Sequence, residues 1–268
     1  MLLIGSDRKY SFDFVMTEKE TNRMKKIRID QLLLERALAG SRERAQAMIF
    51  AGQVLVNGRK IDKAGVLVPG DADIRILGET LRFVSRGGLK LAHALSEFHI
   101  AVEGKTAIDI GASTGGFTDC LLQQGCRKVY AVDVGYGQLA WKLRQDPRVV
   151  VIERTNIRDM DPSLIPEMID LAVLDVSFIS LEKVVPSILR FLRPVSDIVA
   201  LIKPQFEVGK EQVGKGGIVR DKAARTAAVD KIAEFVRGLG FDVRGISSSP
   251  ITGQDGNVEF LLYASRKG

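Results

Sequence analysis

The chain has 268 residues, of which 46% are hydrophobic and 27% are charged, and its formal net charge is +6. That composition is typical of a folded protein with one or two domains and argues against a disordered chain. The sequence has neither a run of about 20 apolar residues, as a membrane span needs, nor the pattern of a signal peptide, so we expect a cytoplasmic protein. Its two cysteines and two histidines lack metal-site spacing, so we expect no metal.

The N-terminal part of the chain predicts a small α+β domain over residues 25–82. Residues 1–24 precede it as an extension that ends at an alternative start methionine. Residues 27–39 carry apolar side chains at helical spacing, and Ser41 is placed to cap a second helix. The pair Asn57-Gly58 predicts a tight hairpin, and short strands follow it.

This small domain also carries most of the excess positive charge of the chain. Residues 24–82 hold 11 lysines and arginines against 7 aspartates and glutamates. An excess of this kind suits an anionic partner such as RNA. A solvated basic surface would produce the same count, so charge alone leaves both interpretations open.

Three segments of the small domain resemble the S-four-type RNA-binding domain, which one small-subunit ribosomal protein shares with many pseudouridine synthases and tyrosyl-tRNA synthetases. The segments are Arg28-Ile29-Asp30-Gln31-Leu32-Leu33, Ser41-Arg42-Glu43-Arg44-Ala45 and Gly52-Gln53-Val54-Leu55-Val56-Asn57-Gly58. The resemblance implies that the second helix faces RNA and that Arg28, Arg42 and Arg44 contact phosphates. The alternative for these arginines is an ordinary solvent-facing position.

The rest of the chain predicts a linker over residues 83–90 and an α/β domain over residues 91–268. The predicted strands are 107–111, 128–133, 149–153, 170–175, 197–203, 241–247 and 258–264, and the predicted helices are 89–99, 116–124, 138–144, 181–192 and 222–239. Their alternation predicts a mostly parallel, doubly wound sheet with helices on both faces. The last two strands lack an intervening helix and should pair antiparallel, which is typical of class I (Rossmann-like) methyltransferases.

A glycine-rich turn between an apolar strand and a helix is the strongest local signal in this domain. The turn Gly111-Ala112-Ser113-Thr114-Gly115-Gly116 would let a ligand approach the backbone and the N–H groups of the following helix. Its pattern is not the G-x-G-x-x-G dinucleotide fingerprint, which points away from NAD and toward S-adenosylmethionine. Asp133 ends the next strand, where a carboxylate suits the ribose hydroxyls of a nucleoside cofactor.

Four charged residues lie beside apolar segments of the predicted sheet. Asp175 and Lys203 each end a strand, Lys90 precedes the first helix of the domain, and Glu259 interrupts an apolar run. Ligands of open α/β sheets bind outside the carboxyl ends of the strands, so Asp175 and Lys203 would face the cofactor crevice. Each of the four, taken alone, fits a structural role better than a catalytic one.

With their surroundings these residues resemble the TlyA family, whose members carry haemolysin names, act as ribosomal-RNA methyltransferases and have an FtsJ-like catalytic domain. The matching segments are Ser85-Arg86-Gly87-Gly88-Leu89-Lys90, Asp109 to Asp119, Leu174-Asp175-Val176-Ser177-Phe178-Ile179-Ser180 and Leu201-Ile202-Lys203-Pro204-Gln205-Phe206-Glu207. The resemblance implies that Lys90, Asp175, Lys203 and Glu259 form the Lys-Asp-Lys-Glu tetrad of ribose 2′-O-methyltransferases. It also implies S-adenosylmethionine as the cofactor and cytidine ribose in ribosomal RNA as the substrate.

The chemistry of that reaction explains why such a tetrad is useful. A ribose hydroxyl is a poor nucleophile and must lose its proton as it attacks the sulfonium methyl group. A lysine accepts this proton only in its neutral form, which desolvation and neighbouring cations favour. We assign this role to Lys203, with Asp175 orienting it and Lys90 and Glu259 positioning the ribose. Alignment of the reacting atoms would contribute about 7–11 kcal/mol.

The family layout also implies contacts to the cofactor. Gly111, Ala112, Ser113 and Gly115 would approach its methionine part and ribose, with Asp133 on the ribose hydroxyls. Asn156 would contact adenine, although an Asn at this point equally fits a turn.

Further basic residues are candidates for RNA contact. Arg86 lies in the predicted linker, and Lys210 and Lys215 lie in a glycine-rich segment, residues 209–217, that predicts a mobile loop. Both lysines equally fit the role of ordinary loop charges.

Three other functions compete with ribose methylation. A membrane-active haemolysin is disfavoured by the absence of a predicted span or secretion signal. A non-catalytic RNA-binding or ribosome-assembly factor would not need the intact tetrad. Base methylation would need a different motif, since Cys120 lies inside a predicted helix and no Asn/Asp-Pro-Pro-aromatic sequence occurs.

Overall fold

The computed structural model describes residues 26–77, 82–253 and 256–267, so the predicted extension over residues 1–24 lies outside the described residues. The chain divides into two units, residues 1–80 and 81–268. Each unit has a hydrophobic core of its own.

The first unit consists of two short helices and small antiparallel sheets. Its elements are β1 (Lys26–Arg28), α1 (Ile29–Glu35), α2 (Arg42–Phe50), β2 (Val54–Val56), β3 (Arg59–Ile61), β4 (Leu67–Pro69) and β5 (Ile74–Ile76). Strands β3, β2 and β5 form one sheet, and β1 pairs with β4. Ser41 caps α2 because its hydroxyl accepts a hydrogen bond from the Arg44 N–H at 3.2 Å. Asn57 and Gly58 both have positive φ, as the tight hairpin requires.

The second unit alternates between strands and helices along the chain. Its elements are α3 (Gly87–Glu97), β6 (Thr106–Ile110), α4 (Gly116–Gln123), β7 (Lys128–Val132), α5 (Trp141–Arg144), β8 (Val149–Ile152), β9 (Ile169–Leu174), α6 (Leu181–Ile188), β10 (Leu192–Ile202), α7 (Lys222–Gly238), β11 (Asp242–Ser248) and β12 (Phe260–Arg266). The strands form one seven-stranded sheet in the order β11-β12-β10-β9-β6-β7-β8.

The topology of this sheet determines where a ligand would bind. Neighbouring strands from β8 to β10 are parallel, whereas β12 runs antiparallel to both β10 and β11. The chain leaves β6 toward β7 and β8, then returns to build β9 and β10 on the other side. The crevice outside the carboxyl ends of β6 and β9 is therefore the topological switch point, where doubly wound sheets bind ligands. The predicted α/β class I fold is confirmed.

Alternate residues of the strands pack into separate cores on the two faces of the sheet. Ile108 and Ile110 belong to the core that includes residues of α6 and α7. Ala107, Val173 and Leu201 belong to the core that includes residues of α3 and α4. Each fully buried Leu or Ile contributes about 1.5–3 kcal/mol of transfer free energy, so the two cores hold the strand ends in place. None of the helices within the described residues is long and apolar enough to cross a lipid bilayer.

Residues 83–90, which the sequence predicts as a linker, contain a buried side chain and the start of a helix. Phe83 is buried, and α3 already begins at Gly87. A Cβ atom on Gly88 would lie only 2.3 Å from the Phe83 ring, so the glycine lets the start of the helix pack directly on that ring. Gly88 is therefore required for close packing, and the segment belongs to the second unit.

Candidate active site

Three parallel strands end together at the edge of the sheet that carries the predicted site. In the register of the sheet, Leu174 of β9 lies beside Ile110 of β6 and Ala200 of β10. Asp175 follows β9 directly, and its N–H donates to the Ile110 carbonyl at 3.0 Å. Lys203 follows the last residue of β10. The strand ends therefore place a carboxylate and an ammonium group at the switch point.

The alternation of side chains places the members of the predicted tetrad on the same face of the sheet. Val173, Leu201 and Leu261 all pack into the core that includes α3 and α4. Asp175, Lys203 and Glu259 lie two residues from these positions, and successive strand residues alternate between faces. Lys90, the fourth member, lies on α3, which packs against this same face.

The four side chains form two ion pairs. The Lys90 Nζ atom lies 2.5 Å from Glu259 Oε2, and the side chains are only 10% and 3% exposed. The Lys203 Nζ atom lies 2.7 Å from Asp175 Oδ1. Burying a charge is costly unless an opposite charge accompanies it, so each lysine is held by its carboxylate. The structure thus brings together all four predicted residues as two lysine–carboxylate pairs.

Ser177 is a fifth polar group at this site, and sequence reasoning missed it. Its Oγ atom accepts a hydrogen bond from Lys203 Nζ at 2.8 Å. The Lys203 ammonium therefore has two protein partners, the Ser177 hydroxyl through a hydrogen bond and the Asp175 carboxylate through an ion pair. The only sequence signal was the position of Ser177 two residues after Asp175, in a turn that directly follows a strand.

A cavity of about 510 Å³ opens beside these residues. Gly111, Ser113, Asp133, Asn156 and Asp175 are the predicted site residues that line it. The floor of the cavity is the backbone of the glycine turn. A Cβ atom on Gly111 would lie 2.6 Å from the Asp175 carbonyl oxygen, and the φ of Gly111 is +82°. Only glycine fits there without displacing the backbone of the strand that carries Asp175.

Ala112 and Gly115, which were predicted to contact the cofactor, do not line this cavity. Ala112 is buried in the core that contains α3 and α4. Gly115 adopts a φ of +95°, and a Cβ atom there would clash with Leu139 and Leu143. Both residues shape the turn and its packing, rather than the wall of the cavity.

The Asp133 carboxylate joins the glycine turn to the loop after β7. Its Oδ2 atom accepts from the Ser113 N–H and its Oδ1 atom from the Gly135 N–H, both at 2.7 Å. Asn156 forms a turn of its own, because its Oδ1 atom accepts from the Arg158 N–H at 3.2 Å. Both side chains also line the cavity, so the turn-forming position of Asn156 is compatible with a ligand contact.

Asp109 supports the glycine turn from below and was not among the predicted site residues. It is fully buried in β6, and its Oδ2 atom accepts from the N–H and the hydroxyl of Thr118 at 2.9 and 2.6 Å. Burial raises the pKa of Asp109 to about 7, and the charges of Asp175 and Asp133 act in the same direction. The hydrogen bonds fasten the start of α4 to β6.

An exposed aromatic side chain forms part of the rim of the cavity. Phe178 is 91% exposed and has a φ of +63°, in the left-handed region that non-glycine residues rarely adopt. Its ring lies against that of Phe206, with centroids 5.2 Å apart. Exposing an apolar ring to solvent and holding its backbone in the left-handed region both cost free energy. Such an arrangement indicates a role in binding.

The comparison with known proteins agrees with this site. A family model described as FtsJ-like methyltransferase matches residues 83–266, and one described as S4 domain matches residues 27–74. The chain is 47% identical over 240 residues to the 16S/23S rRNA (cytidine-2'-O)-methyltransferase TlyA of Mycobacterium tuberculosis, covering 89% of this chain and 90% of that protein. This chain belongs to the TlyA family of FtsJ-like methyltransferases.

Other relatives of this TlyA-family enzyme give the same result. This chain is 53% identical over 240 residues to the protein YqxC of Bacillus subtilis, covering 89% of this chain and 85% of that protein. A solved structure of a hemolysin-named protein from Streptococcus thermophilus superimposes with a TM-score of 0.71 at 44% identity, covering 91% of this chain and 90% of that one. As an FtsJ-like methyltransferase, the chain uses S-adenosylmethionine, as the glycine turn predicted. The described residues contain no cluster of His, Cys, Asp or Glu side chains that could hold a metal ion.

In the S4 domain of this TlyA-family chain, one buried carboxylate organises two of the predicted RNA-binding arginines. Asp30 is fully buried, and its oxygens accept from Arg28 at 3.0 Å and from Arg42 at 3.1 Å. Gln46 donates to the same carboxylate. The Arg28 hydrogen bond is the main cause that holds the pKa of Asp30 far below its usual value. Both arginines stay about half exposed, and Arg44 lies on the same helix as Arg42.

The other predicted RNA contacts lie in the methyltransferase domain. Arg86 is exposed and donates to the Thr252 carbonyl at 3.3 Å. Lys210 and Lys215 are exposed in the segment between β10 and α7. Asn257 holds the end of this segment, since its amide donates to the Gly217 carbonyl and its Oδ1 atom accepts from the Val219 N–H.

Proposed function

We propose that this protein transfers a methyl group from S-adenosylmethionine to the ribose 2′-hydroxyl of a cytidine in ribosomal RNA. The observation that carries the proposal is the pair of buried lysine–carboxylate contacts beside the cavity at the switch point. The name of its relative from Mycobacterium tuberculosis supports the same substrate. We place this reaction in the cytoplasm, where bacterial ribosomal RNA is found.

The residues around the cavity fit S-adenosylmethionine. Gly111 leaves room for a ligand against the backbone, and Asp133 offers a carboxylate to ribose hydroxyls. Asn156 would meet the adenine, and Asp175 would offer a negative partner to the sulfonium charge. S-adenosylmethionine supplies the electrophilic methyl group, and the protein supplies its orientation.

We assign to Lys203 the role of the base that accepts the proton of the 2′-hydroxyl. Asp175 and Ser177 both contact its Nζ atom and would orient it toward the acceptor ribose. Neutral Lys203 would accept the proton from the hydroxyl as the oxygen attacks the methyl carbon. The buried Lys90–Glu259 pair would hold the ribose, because each group keeps hydrogen-bonding capacity beyond the ion pair.

Two surfaces would bind the RNA around the target nucleotide. The exposed Phe178 ring offers a stacking platform to a base that leaves its helix, since aromatic rings stack on every base. Arg28, Arg42 and Arg44 of the S4 domain would contact phosphates, which fix the position of an RNA without reading its sequence. Arg86, Lys210 and Lys215 would do the same in the methyltransferase domain.

Methyl transfer from labelled S-adenosylmethionine to unmodified ribosomal subunits, followed by alkaline hydrolysis of the RNA, tests the proposal. A 2′-O-methyl group blocks cleavage of the adjoining phosphodiester bond, so we expect the label in an alkali-resistant dinucleotide. Label in a mononucleotide would indicate base methylation and contradict the role of the tetrad. Absence of label from naked RNA, subunits and 70S particles would favour a non-catalytic RNA-binding factor. Haemoglobin release by vesicle-free protein would instead favour a haemolysin.

A further inference from the structure

The reacting groups of the site are carried by two separate loops. The first loop follows β9 and contains Asp175, Ser177 and Phe178. The second follows β10 and begins with Lys203. The hydrogen bond from Lys203 to Ser177 crosses from one loop to the other, so the geometry of the proposed base depends on their separation.

Glu207 links these loops. It is only 7% exposed, its Oε2 atom accepts from the Ser180 hydroxyl at 2.6 Å, and its Oε1 atom accepts from the Leu181 N–H at 2.9 Å. Ser180 ends the first loop and caps α6, because its Oγ atom accepts from the Glu182 N–H at 3.1 Å. The Glu207 carboxylate therefore attaches the first part of the second loop to the end of the first loop.

The second loop is rigid between Lys203 and Glu207. The Phe206 N–H donates to the Lys203 carbonyl at 2.9 Å, and the Glu207 N–H donates to the Pro204 carbonyl at 3.0 Å. Pro204 is buried and has a restricted φ. A displacement of Glu207 would consequently move the backbone of Lys203 through a single tight turn.

Keeping a carboxylate at this point is costly. Burial raises the pKa of the Glu207 carboxyl, whereas the hydrogen bonds from Ser180 and Leu181 and the charge of Lys231 lower it. Glu182 adds a repulsive charge but is itself paired with Lys231 at 2.6 Å. A buried polar group retained at such a cost is expected to hold a specific geometry.

We propose that Glu207 is a positioning residue for the methyl transfer reaction. It sets the distance between Lys203 and the Ser177–Phe178 segment. This inference rests on the proposed function, since it concerns the turnover of the same site. Glu207 does not line the cavity itself, whereas Ser177 and Phe178 do, so its loss should lower turnover more than cofactor affinity. The contact between the Phe178 and Phe206 rings connects the same two loops on their exposed side and cannot replace two buried hydrogen bonds.

The test compares Glu207→Ala with the conservative Glu207→Gln. Loss of the carboxylate should lower kcat by about tenfold or more, because a misplacement of about 1 Å costs up to ~100-fold in rate. The affinity for S-adenosylmethionine, measured by calorimetry, should fall by much less than kcat. Glutamine should restore most of the rate, since its amide oxygen can accept from the Leu181 N–H and its amide nitrogen can donate to Ser180.

Two further variants separate positioning from general damage to the fold. Ser180→Ala removes one of the two bonds and should lower kcat in the same direction, even if Glu207→Ala does not fold. Asp221→Ala is the matched control, because Asp221 caps α7 through the Ala223 N–H at 2.9 Å without joining the two loops. It should lower the melting temperature and leave kcat unchanged.

Wild-type kcat in both Glu207→Ala and Ser180→Ala would overturn the inference. Equal losses of kcat and cofactor affinity, or a Gln variant as slow as the Ala variant, would overturn it as well. A wild-type enzyme that methylates no RNA would instead refute the proposed function, so the two failures are distinguishable.

Discussion

Lys203 and Glu259 face each other at one edge of the sheet, one residue beyond the antiparallel pair Ile202–Phe260. Because β12 runs antiparallel to β10, the residue that precedes β12 lies at the edge where β10 ends. Glu259 nevertheless pairs with Lys90 from α3, and Lys203 pairs with Asp175. Each carboxylate is thus committed to one lysine, which separates the group that would take the proton from the groups that would hold the ribose.

Lys203→Ala should abolish methyl transfer, because it removes the group that accepts the proton. We expect a loss of at least about a hundredfold in kcat. Lys203→Arg should be equally inactive, since a guanidinium keeps its charge and cannot accept a proton. Cofactor affinity of both folded variants, measured by calorimetry, should remain close to that of the wild type. Equal losses of turnover and cofactor affinity would refute the assigned role.

The buried pair Lys90–Glu259 should be required for methyl transfer. A pair of apolar side chains in its place should keep most of the stability of the fold. Lys90→Met or Glu259→Leu alone leaves an uncompensated buried charge, which costs about 3–5 kcal/mol. The double variant should recover much of that loss in urea unfolding while remaining inactive. Additive losses of unfolding free energy in the double variant would show that the two groups do not interact energetically, which would contradict the pairing.

Asp109 should make stability depend on pH near neutrality. Its pKa is about 7 in the folded protein, above the value of an exposed aspartate, so the folded state binds more protons than the unfolded chain below that pH. The contribution of Asp109 should therefore raise the free energy of unfolding as pH falls from 8 toward 5. Asp109→Asn cannot titrate, and its stability profile should lack this rise. Parallel profiles for the wild type and the variant would contradict the raised pKa.

Arg42→Ala combined with Arg44→Ala should weaken RNA binding and flatten its dependence on salt. Each lost phosphate contact should reduce the slope of log K against log salt by about 0.7–0.9. Arg75→Ala is a matched control in the same domain. Arg75 is exposed on β5 and is paired with Asp73, which directly precedes that strand. An unchanged salt slope in the double variant would contradict the phosphate contacts.

Phe178→Ala should impair RNA binding more than cofactor binding. Stacking of a base on an aromatic ring is worth about 1–3 kcal/mol, so the KM for RNA should rise by roughly five- to 150-fold. Phe178→Leu keeps an apolar side chain without the ring, whereas Phe178→Trp keeps a stacking surface. Only the Trp variant should approach the wild type; a fully active Leu variant would show that the position needs bulk and not an aromatic ring.

The sequence alone predicts most of the second unit, and its errors have identifiable causes. The predicted strand 107–111 corresponds to Thr106–Ile110 in the structure. The predicted strand 197–203 begins earlier, at Leu192, because polar residues and a shift in register interrupt its apolar pattern. The predicted helix 138–144 is shortened to Trp141–Arg144, since the backbone of Ala140 is extended, with a ψ of 138°.

What the sequence determines by itself is local: the alternation of strands and helices, the glycine turn and the identity of the four charged residues. These follow from neighbouring residues or from motifs of the family. Only the tertiary structure decides the burial of the Lys90–Glu259 pair, the contact of Ser177 with Lys203 and the link made by Glu207. Each depends on strand register and on the packing of separate loops, which bring together residues far apart in the chain.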